Sequence, residues 1–67
     1  MDVHQRLKGN LKRLRGEKGW SQEELADRSS VHRTYVSGLE RAARNPTISV
    51  LERVAKAFGV TMGDLLD

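Results

Sequence analysis

Helix-starting and helix-ending residues recur so closely along this sequence that each of its helices must be short. Gly19 can take the left-handed conformation that ends a helix, and SQEE at residues 21–24 has the spacing of a capping box that starts one. Asn45-Pro46 interrupts a later helical pattern, because the residue before a proline avoids the helical region. Gly59 ends another helix. A set of short helices satisfies all of these boundaries.

Between the boundaries the apolar residues follow the helical period, and the sequence carries no strand signal. Leu7, Leu11 and Leu14 form the stripe of the first helix, with Val3 one turn earlier, and this helix ends near Gly19. The second helix is predicted from Ser21 to about Arg28, with Leu25 and Ala26 facing inward.

The remaining segments predict three more helices. After a turn at residues 29–31, where Val31 fills the core, the third helix runs from His32 to about Arg41. Thr47 caps the fourth, with Ser49 as a competing cap, and this helix presents one apolar face: Ile48, Leu51, Val54, Ala55 and Phe58. Thr61 to Asp64 caps a short last helix. The sequence therefore predicts an all-α fold of five short helices in one domain, residues 1–67.

The chain carries a net charge of +3, and this charge is unevenly placed. Residues 6–18 and 28–44 are rich in lysine and arginine, whereas residues 47–67 lean slightly acidic. This separation indicates an anionic partner on one face, although the same residues can simply keep a small domain soluble.

Several classes of function are excluded by what the sequence lacks. It has no cysteine, and His4 and His32 lie far apart without a companion ligand, so we predict no metal and no cofactor. No converging acid, base and nucleophile can be found, so we predict that the chain is not an enzyme. No apolar run approaches the roughly 20 residues of a membrane span. The N-terminus is too polar for a signal peptide, which predicts a cytoplasmic protein.

The third helix carries the most informative pattern. Its inward side is predicted to hold Val36, Leu39 and Glu40, together with His32 and Ala43. Its outward side is small or basic and has no acid: Arg33, Thr34, Ser37, Gly38 and Arg41. The second and third helices are joined by a turn of about three residues, which is helix-turn-helix geometry. Residues 21–41 are therefore a candidate helix-turn-helix.

Motifs along nearly the whole chain resemble one known family. The markers are LR…G-x-SQEELA, V-x-R-x-Y-V-S-x-L-E-R, the NPT break and LERVAKAFGV. In this order they are similar to the Cro and phage-repressor type of helix-turn-helix regulator, also called XRE-like, which has a lambda-repressor-like domain. The segment HRTYVSGLERAARNPT looks most like the small controller proteins of restriction–modification systems. The resemblance implies a transcription regulator that binds double-stranded DNA as a homodimer on a pseudo-palindromic operator.

The resemblance and the chemistry of the side chains together assign the base contacts to Arg33, Thr34 and Ser37. Arg33 lies in the first turn of the third helix, where this fold usually makes base contacts, and arginine can bind O6 and N7 of guanine together. Thr34 offers a hydroxyl and a methyl group, and Ser37 a hydroxyl one turn later. Gly38 is interpreted as a position without a side chain that lets the helix lie closer to the DNA.

Phosphate contacts are expected around this helix. Gln22 begins the second helix, where backbone amides and the helix dipole favour a phosphate, and the family uses a glutamine there in this way. Tyr35 is either a core residue or a phosphate donor through its hydroxyl. The resemblance adds a loop that clamps the DNA backbone and two flanking cations: Arg41, Arg44, Asn45, Thr47, Arg13 and Lys18.

Two further sets of residues are given structural roles. The resemblance places a partly buried ion pair between Arg15 and Glu40, linking the first and third helices. Trp20 is expected to pack at the edge of the core. A dimer surface is predicted within residues 47–67, unless all of its members fill the core: Phe58, Val60, Met62, Leu65 and Leu66.

The alternative function is a protein-binding module, such as an antitoxin or adaptor, that keeps this fold as a scaffold. It predicts acidic or apolar residues on the outer face of the third helix, which carries Arg33 and Arg41 instead. The sequence leaves open a contact with RNA polymerase and whether the regulator activates or represses.

Overall fold

Five α-helices make up the computed structural model, which describes residues 2–67. They are α1 (Val3–Lys18), α2 (Gln22–Ser29), α3 (Arg33–Glu40), α4 (Ile48–Phe58) and α5 (Met62–Leu66). No strand occurs within the described range. The predicted all-α fold is confirmed.

The helices begin at the residues that the sequence indicated, with two differences. The Oγ1 atoms of Thr47 and Thr61 accept hydrogen bonds from the amides of Val50 and Asp64, at 3.1 and 3.0 Å. At α2, Ser21 Oγ accepts from the Glu24 amide, but the Glu24 carboxylate pairs with Arg28 rather than reaching back, so that capping box is only half formed. His32 precedes α3 in extended conformation.

The core lies between α1 and the other helices and is formed by the buried apolar side chains: Leu7, Leu11, Leu14, Leu25, Ala26, Val36, Leu39, Leu51, Val54, Ala55, Phe58 and Leu65. α1 packs against α3 and α5, while α2 packs against α3 and α4. Trp20 lies at the edge, stacked on Phe58 with the ring centroids 5.4 Å apart.

Three residues predicted to face inward are exposed instead. Ile48 occupies the first turn of α4, beyond the edge of the core, and is 75% exposed. The extended backbone of His32 takes its side chain out of the helical register of α3. Ala43 lies past the end of α3, where the chain no longer follows the helical period. These three predictions were wrong because a helical period was extended to residues outside the packed turns.

Two left-handed residues shape the chain around α3. Ser30, at φ 58°, ends α2, and Ala42, at φ 56°, follows α3. After each, the next amide reaches back across the helix end: Val31 N donates to Ala26 O at 3.0 Å, and Ala43 N donates to Gly38 O at 2.9 Å. The first turn orients α3 against α2, and the second folds the chain after α3 back over that helix.

Candidate nucleic-acid interface

The outer face of α3 presents free polar groups. Arg33 and Thr34 are exposed in its first turn, and they line a shallow cleft with Ser37 and Gln22 at the start of α2. Within residues 2–67, the guanidinium of Arg33 takes part in no hydrogen bond or ion pair. All of its donors therefore remain available to an external acceptor.

Beneath this face, a buried ion pair joins α1 to α3. Arg15 donates through Nε and a terminal nitrogen to the two carboxylate oxygens of Glu40, at 2.6 and 2.7 Å. Its other terminal nitrogen donates to Trp20 O at 2.9 Å. The pair that the resemblance implied is thus present, with Glu40 only 2% exposed.

Gln22 belongs to the same network. Its Nε2 donates to Glu40 Oε1 at 3.1 Å, which ties the first residue of α2 to the last residue of α3. Burial alone raises the pKa of the Glu40 carboxyl, but the hydrogen bonds from Arg15 and Gln22 and the nearby charges of Arg15 and Lys12 outweigh it, so the pKa lies below its ordinary value. One Nε2 hydrogen and the side-chain carbonyl of Gln22 stay available.

Tyr35 shows the first of the two roles that the sequence left open, that of a core residue, and nothing tests the second, that of a phosphate donor. Its ring packs against the core, and its hydroxyl donates to Asn45 O at 3.3 Å. The Arg44 guanidinium lies over the ring, 4.9 Å from its centroid. Arg44 also covers Gly38, which is buried and not open as we predicted. The space left by this glycine is thus used by Arg44.

The loop after α3 is held by contacts at both ends. The Asn45 side-chain oxygen is hydrogen-bonded to the His4 ring, and Arg41 Nε donates to Ser37 O at 3.3 Å. Thr47 caps α4 through its oxygen, so its hydroxyl hydrogen remains free. Arg41, Arg44, Asn45 and Thr47 are all exposed. The loop therefore presents cationic and hydroxyl donors beside α3.

Comparison with known proteins identifies the family. Residues 11–65 match the sequence profile of a family described as helix-turn-helix. The chain belongs to this helix-turn-helix family, of the XRE type. It is 44% identical over 66 residues to an uncharacterised transcriptional regulator, y4dJ, of Sinorhizobium fredii, covering 98% of this chain and 86% of that relative.

Solved structures resemble this helix-turn-helix chain closely. A hypothetical transcription factor from Neisseria superposes with a TM-score of 0.94 at 44% identity, covering 98% of this chain and 76% of that one. The restriction–modification controller protein C.AhdI from Aeromonas hydrophila gives 0.85 at 37% identity, covering 90% and 91%. The predicted family is confirmed: the chain is a DNA-binding transcription regulator and not an enzyme.

One predicted phosphate contact of this regulator points away from α3. Arg13 lies two residues before Arg15, about 200° around α1, and it pairs with Glu17 at 3.0 Å. Its charge also acts on Asp64 at the start of α5. Lys12, three residues before Arg15 and near Glu40, lies on the α3 side. The helical angle relative to Arg15 was the signal in the sequence that favours Lys12 over Arg13.

Two predicted dimer residues are unavailable as surface. Phe58 and Leu65 are 3% and 0% exposed within one chain, because α5 and the end of α4 pack inward on α1 and α2, so the prediction is corrected for these two. Val60 also packs on the core, half-buried. Met62 remains exposed and Leu66 half-buried. Ile48, which the sequence analysis assigned to the core, is a further exposed apolar side chain.

Leu66 adjoins an apolar groove. The groove has a volume of about 280 Å³ and is lined by residues of α1, α4, α5 and the loop after α3: Val3, His4, Leu7, Asn45, Pro46, Leu51 and Leu66. Among the described residues, no group of three or more His, Asp or Glu side chains could hold a metal ion. None of the helices in residues 2–67 has both the length and the apolar character needed to cross a membrane.

Proposed function

We propose that this chain regulates transcription by binding a pseudo-palindromic operator as a homodimer, with α3 in the major groove. The observation that carries the proposal is the unpaired guanidinium of Arg33 in the first exposed turn of α3. An α-helix of about 10–12 Å diameter fits a major groove about 12 Å wide. Arg33 then reads guanine, while Thr34 and Ser37 contact neighbouring base edges.

Phosphates on either side of the groove bind the surrounding donors. The Gln22 amide, fixed by Glu40, binds a phosphate at the start of α2. The loop donors and the α1 cations bind the flanking backbone: Arg41, Arg44, Asn45, Thr47, Lys18 and, in place of Arg13, Lys12. Tyr35 joins them only when its hydroxyl hydrogen leaves Asn45 O for a phosphate. These contacts fix the register of α3 without reading sequence.

A second copy supplies the second half-site. The proposed dimer face includes the exposed side chains of Val3, Ile48 and Met62 and the half-buried Leu66. Val3 and Leu66 also line the apolar groove. It adjoins the Asn45-Pro46 loop that follows α3. Pairing two chains here places two recognition helices on one duplex, and this fold requires about 34–36 Å between them.

The regulated system is proposed to be restriction–modification. C.AhdI is a restriction–modification controller protein, and it resembles this chain over nine tenths of both molecules. The alternative role as a protein-binding scaffold is disfavoured by the cationic outer face of α3.

Selection from a randomised duplex pool tests the proposal, with wild type and Arg33→Ala compared at near-physiological salt. We expect the wild type to enrich a two-fold symmetric site. Arg33→Ala should lose preference at one base pair per half-site, a loss of about 1–3 kcal/mol, because its guanine contact is gone. Lys56→Ala, an equal charge change on the exposed side of α4, should keep the full preference. Binding that only fades with salt, with no site enriched, would refute sequence-specific regulation.

A further inference from the structure

Gly38 lies on the outer face of α3 that carries the proposed base contacts, here called the reading face, and is nevertheless covered by Arg44. It follows Thr34 by four residues, so both share one side of the helix. A Cβ atom built at Gly38 would lie 3.2 Å from Arg44 Nε, 3.4 Å from Arg44 Cβ and 3.5 Å from Arg44 Cδ. The contacts with Cβ and Cδ are ordinary van der Waals distances, whereas the contact with Nε is tight, so alanine at this position would push the guanidinium end of Arg44 away from α3.

Other contacts fix the same arginine from further directions. The Tyr35 ring supports its guanidinium at 4.9 Å, and the Tyr35 hydroxyl bonds to the backbone oxygen of Asn45, the next residue. The left-handed turn at Ala42 and the bond from Ala43 N to Gly38 O bring the chain back over α3. Alanine avoids this conformation, so the turn is imposed by its surroundings.

Packing inside the protein gives Gly38 no other evident purpose. Glycine weakens a helix interior relative to alanine, and the only atoms that a Cβ would crowd closely are those of Arg44. The glycine therefore makes room for a charged side chain that comes from outside the helix.

We propose that Gly38 and Tyr35 are positioning residues for Arg44, holding its guanidinium on the reading face of α3 so that it meets a DNA phosphate without first being ordered. This inference rests on the proposed function. A long side chain fixed before binding loses less conformational entropy when it binds. The charge-assisted contact it makes is worth about a tenfold change in affinity.

A double-mutant cycle on operator binding tests the proposal with wild type, Gly38→Ala, Arg44→Ala and the double variant. We expect Arg44→Ala to weaken binding about tenfold, Gly38→Ala to weaken it by a smaller factor, and the double variant to be no weaker than Arg44→Ala. Independent effects that multiply would overturn the proposal, because Gly38 would then act by direct approach to the DNA. Gly9→Ala, at an exposed glycine with no atom nearby, should leave operator binding unchanged.

An NMR measurement on the free protein provides a second test, which does not depend on changes in the stability of the fold. The Tyr35 ring current should shift the Arg44 side-chain protons upfield in the wild type and in Tyr35→Phe. The upfield shift should become smaller in Gly38→Ala and disappear in Tyr35→Ala. If the Arg44 side-chain protons of the wild type show no upfield shift, the inference about Gly38 and Tyr35 is wrong and the proposed function is unaffected. If the wild type selects no operator, the proposed function is wrong as well.

Discussion

The Glu40 carboxylate lies at the junction of three helices, where it is almost completely removed from water. Both of its oxygens accept hydrogen bonds from Arg15, and one also accepts from Gln22. The buried charge is tolerated because each carboxylate oxygen accepts at least one hydrogen bond from a donor side chain. A single acidic side chain thereby links α2, which carries the proposed phosphate donor Gln22, to α3, which carries the proposed base readers.

The free energy of unfolding should depend on the ionisation of this carboxyl. Its pKa is lowered in the folded chain, where the donors outweigh burial, so the unfolded chain binds the proton at a higher pH. The stabilisation is therefore complete above the ordinary value of 4.5 and is lost as the pH falls through the lowered pKa. Glu40→Gln should be less stable at neutral pH by about 3 kcal/mol, with a flatter acid limb.

Urea unfolding of wild type and Glu40→Gln between neutral and acid pH measures this difference. Glu52→Gln is the control and should follow the wild type, because Glu52 is exposed on α4 and its side chain makes no hydrogen bond or ion pair within residues 2–67. Parallel acid limbs for wild type and Glu40→Gln would show that Glu40 does not provide the linkage.

At the scale of the helices, the two glycines inside α1 and the glycine that follows it have opposite roles. Gly9 lies in the helix interior, and a Cβ added there meets nothing. Gly16 is equally open. Gly19 ends the helix at φ 72°, a conformation that residues with a side chain avoid. Substitution by alanine is therefore expected to raise the free energy of unfolding inside α1 and to lower it at the end of α1.

Thermal unfolding of three alanine variants tests this expectation. Gly9→Ala and Gly16→Ala should each raise the free energy of unfolding by about 0.5–1 kcal/mol, since alanine restricts the unfolded chain and favours the helix. Gly19→Ala should lower it by about 1 kcal/mol because of the left-handed backbone. A destabilised Gly9→Ala would reveal a contact that α1 makes outside the single chain.

The sequence predicted the order and starts of the helices because caps and apolar periods are local signals. Ser21, Thr47 and Thr61 needed only their neighbours to be interpreted. Gly38 could not be understood in this way, because its role depends on where Arg44 returns after a left-handed alanine. Ile48 was misplaced for a related reason: its helical phase matches Leu51, but only the tertiary structure shows where the core ends.

The candidate site divides along the same line. Arg33 and Thr34 follow from helical phase, and the Arg15–Glu40 pair followed from family resemblance. To place Arg13 correctly, one has to know which side of α1 faces α3, and this depends on the tertiary structure. Phe58 and Leu65 required knowledge of which faces of α4 and α5 meet the rest of the chain.

For the whole molecule, the exposed apolar face predicts self-association. Ile48→Asp should raise the dimer dissociation constant at least about 100-fold, because a charge would be buried without a partner. Sedimentation over a range of concentrations measures the constant. Lys56→Asp, two turns further along α4, is the control and should associate like the wild type. If the wild type stays monomeric at high concentration, the prediction of self-association through this face is wrong.

The packing of α5 on α1 links folding of this helix to assembly. The carbonyls of Leu65 and Leu66 accept hydrogen bonds from Asn10 and Arg6, at 2.9 and 2.8 Å. A five-residue helix has little stability of its own, and these bonds close a loop of nearly the entire chain. α5 should therefore fold last and open first, taking Leu66 away from the proposed dimer face whenever it opens. A second subunit that binds only the closed form suppresses this opening, so amide exchange in α5 should slow as the protein concentration rises.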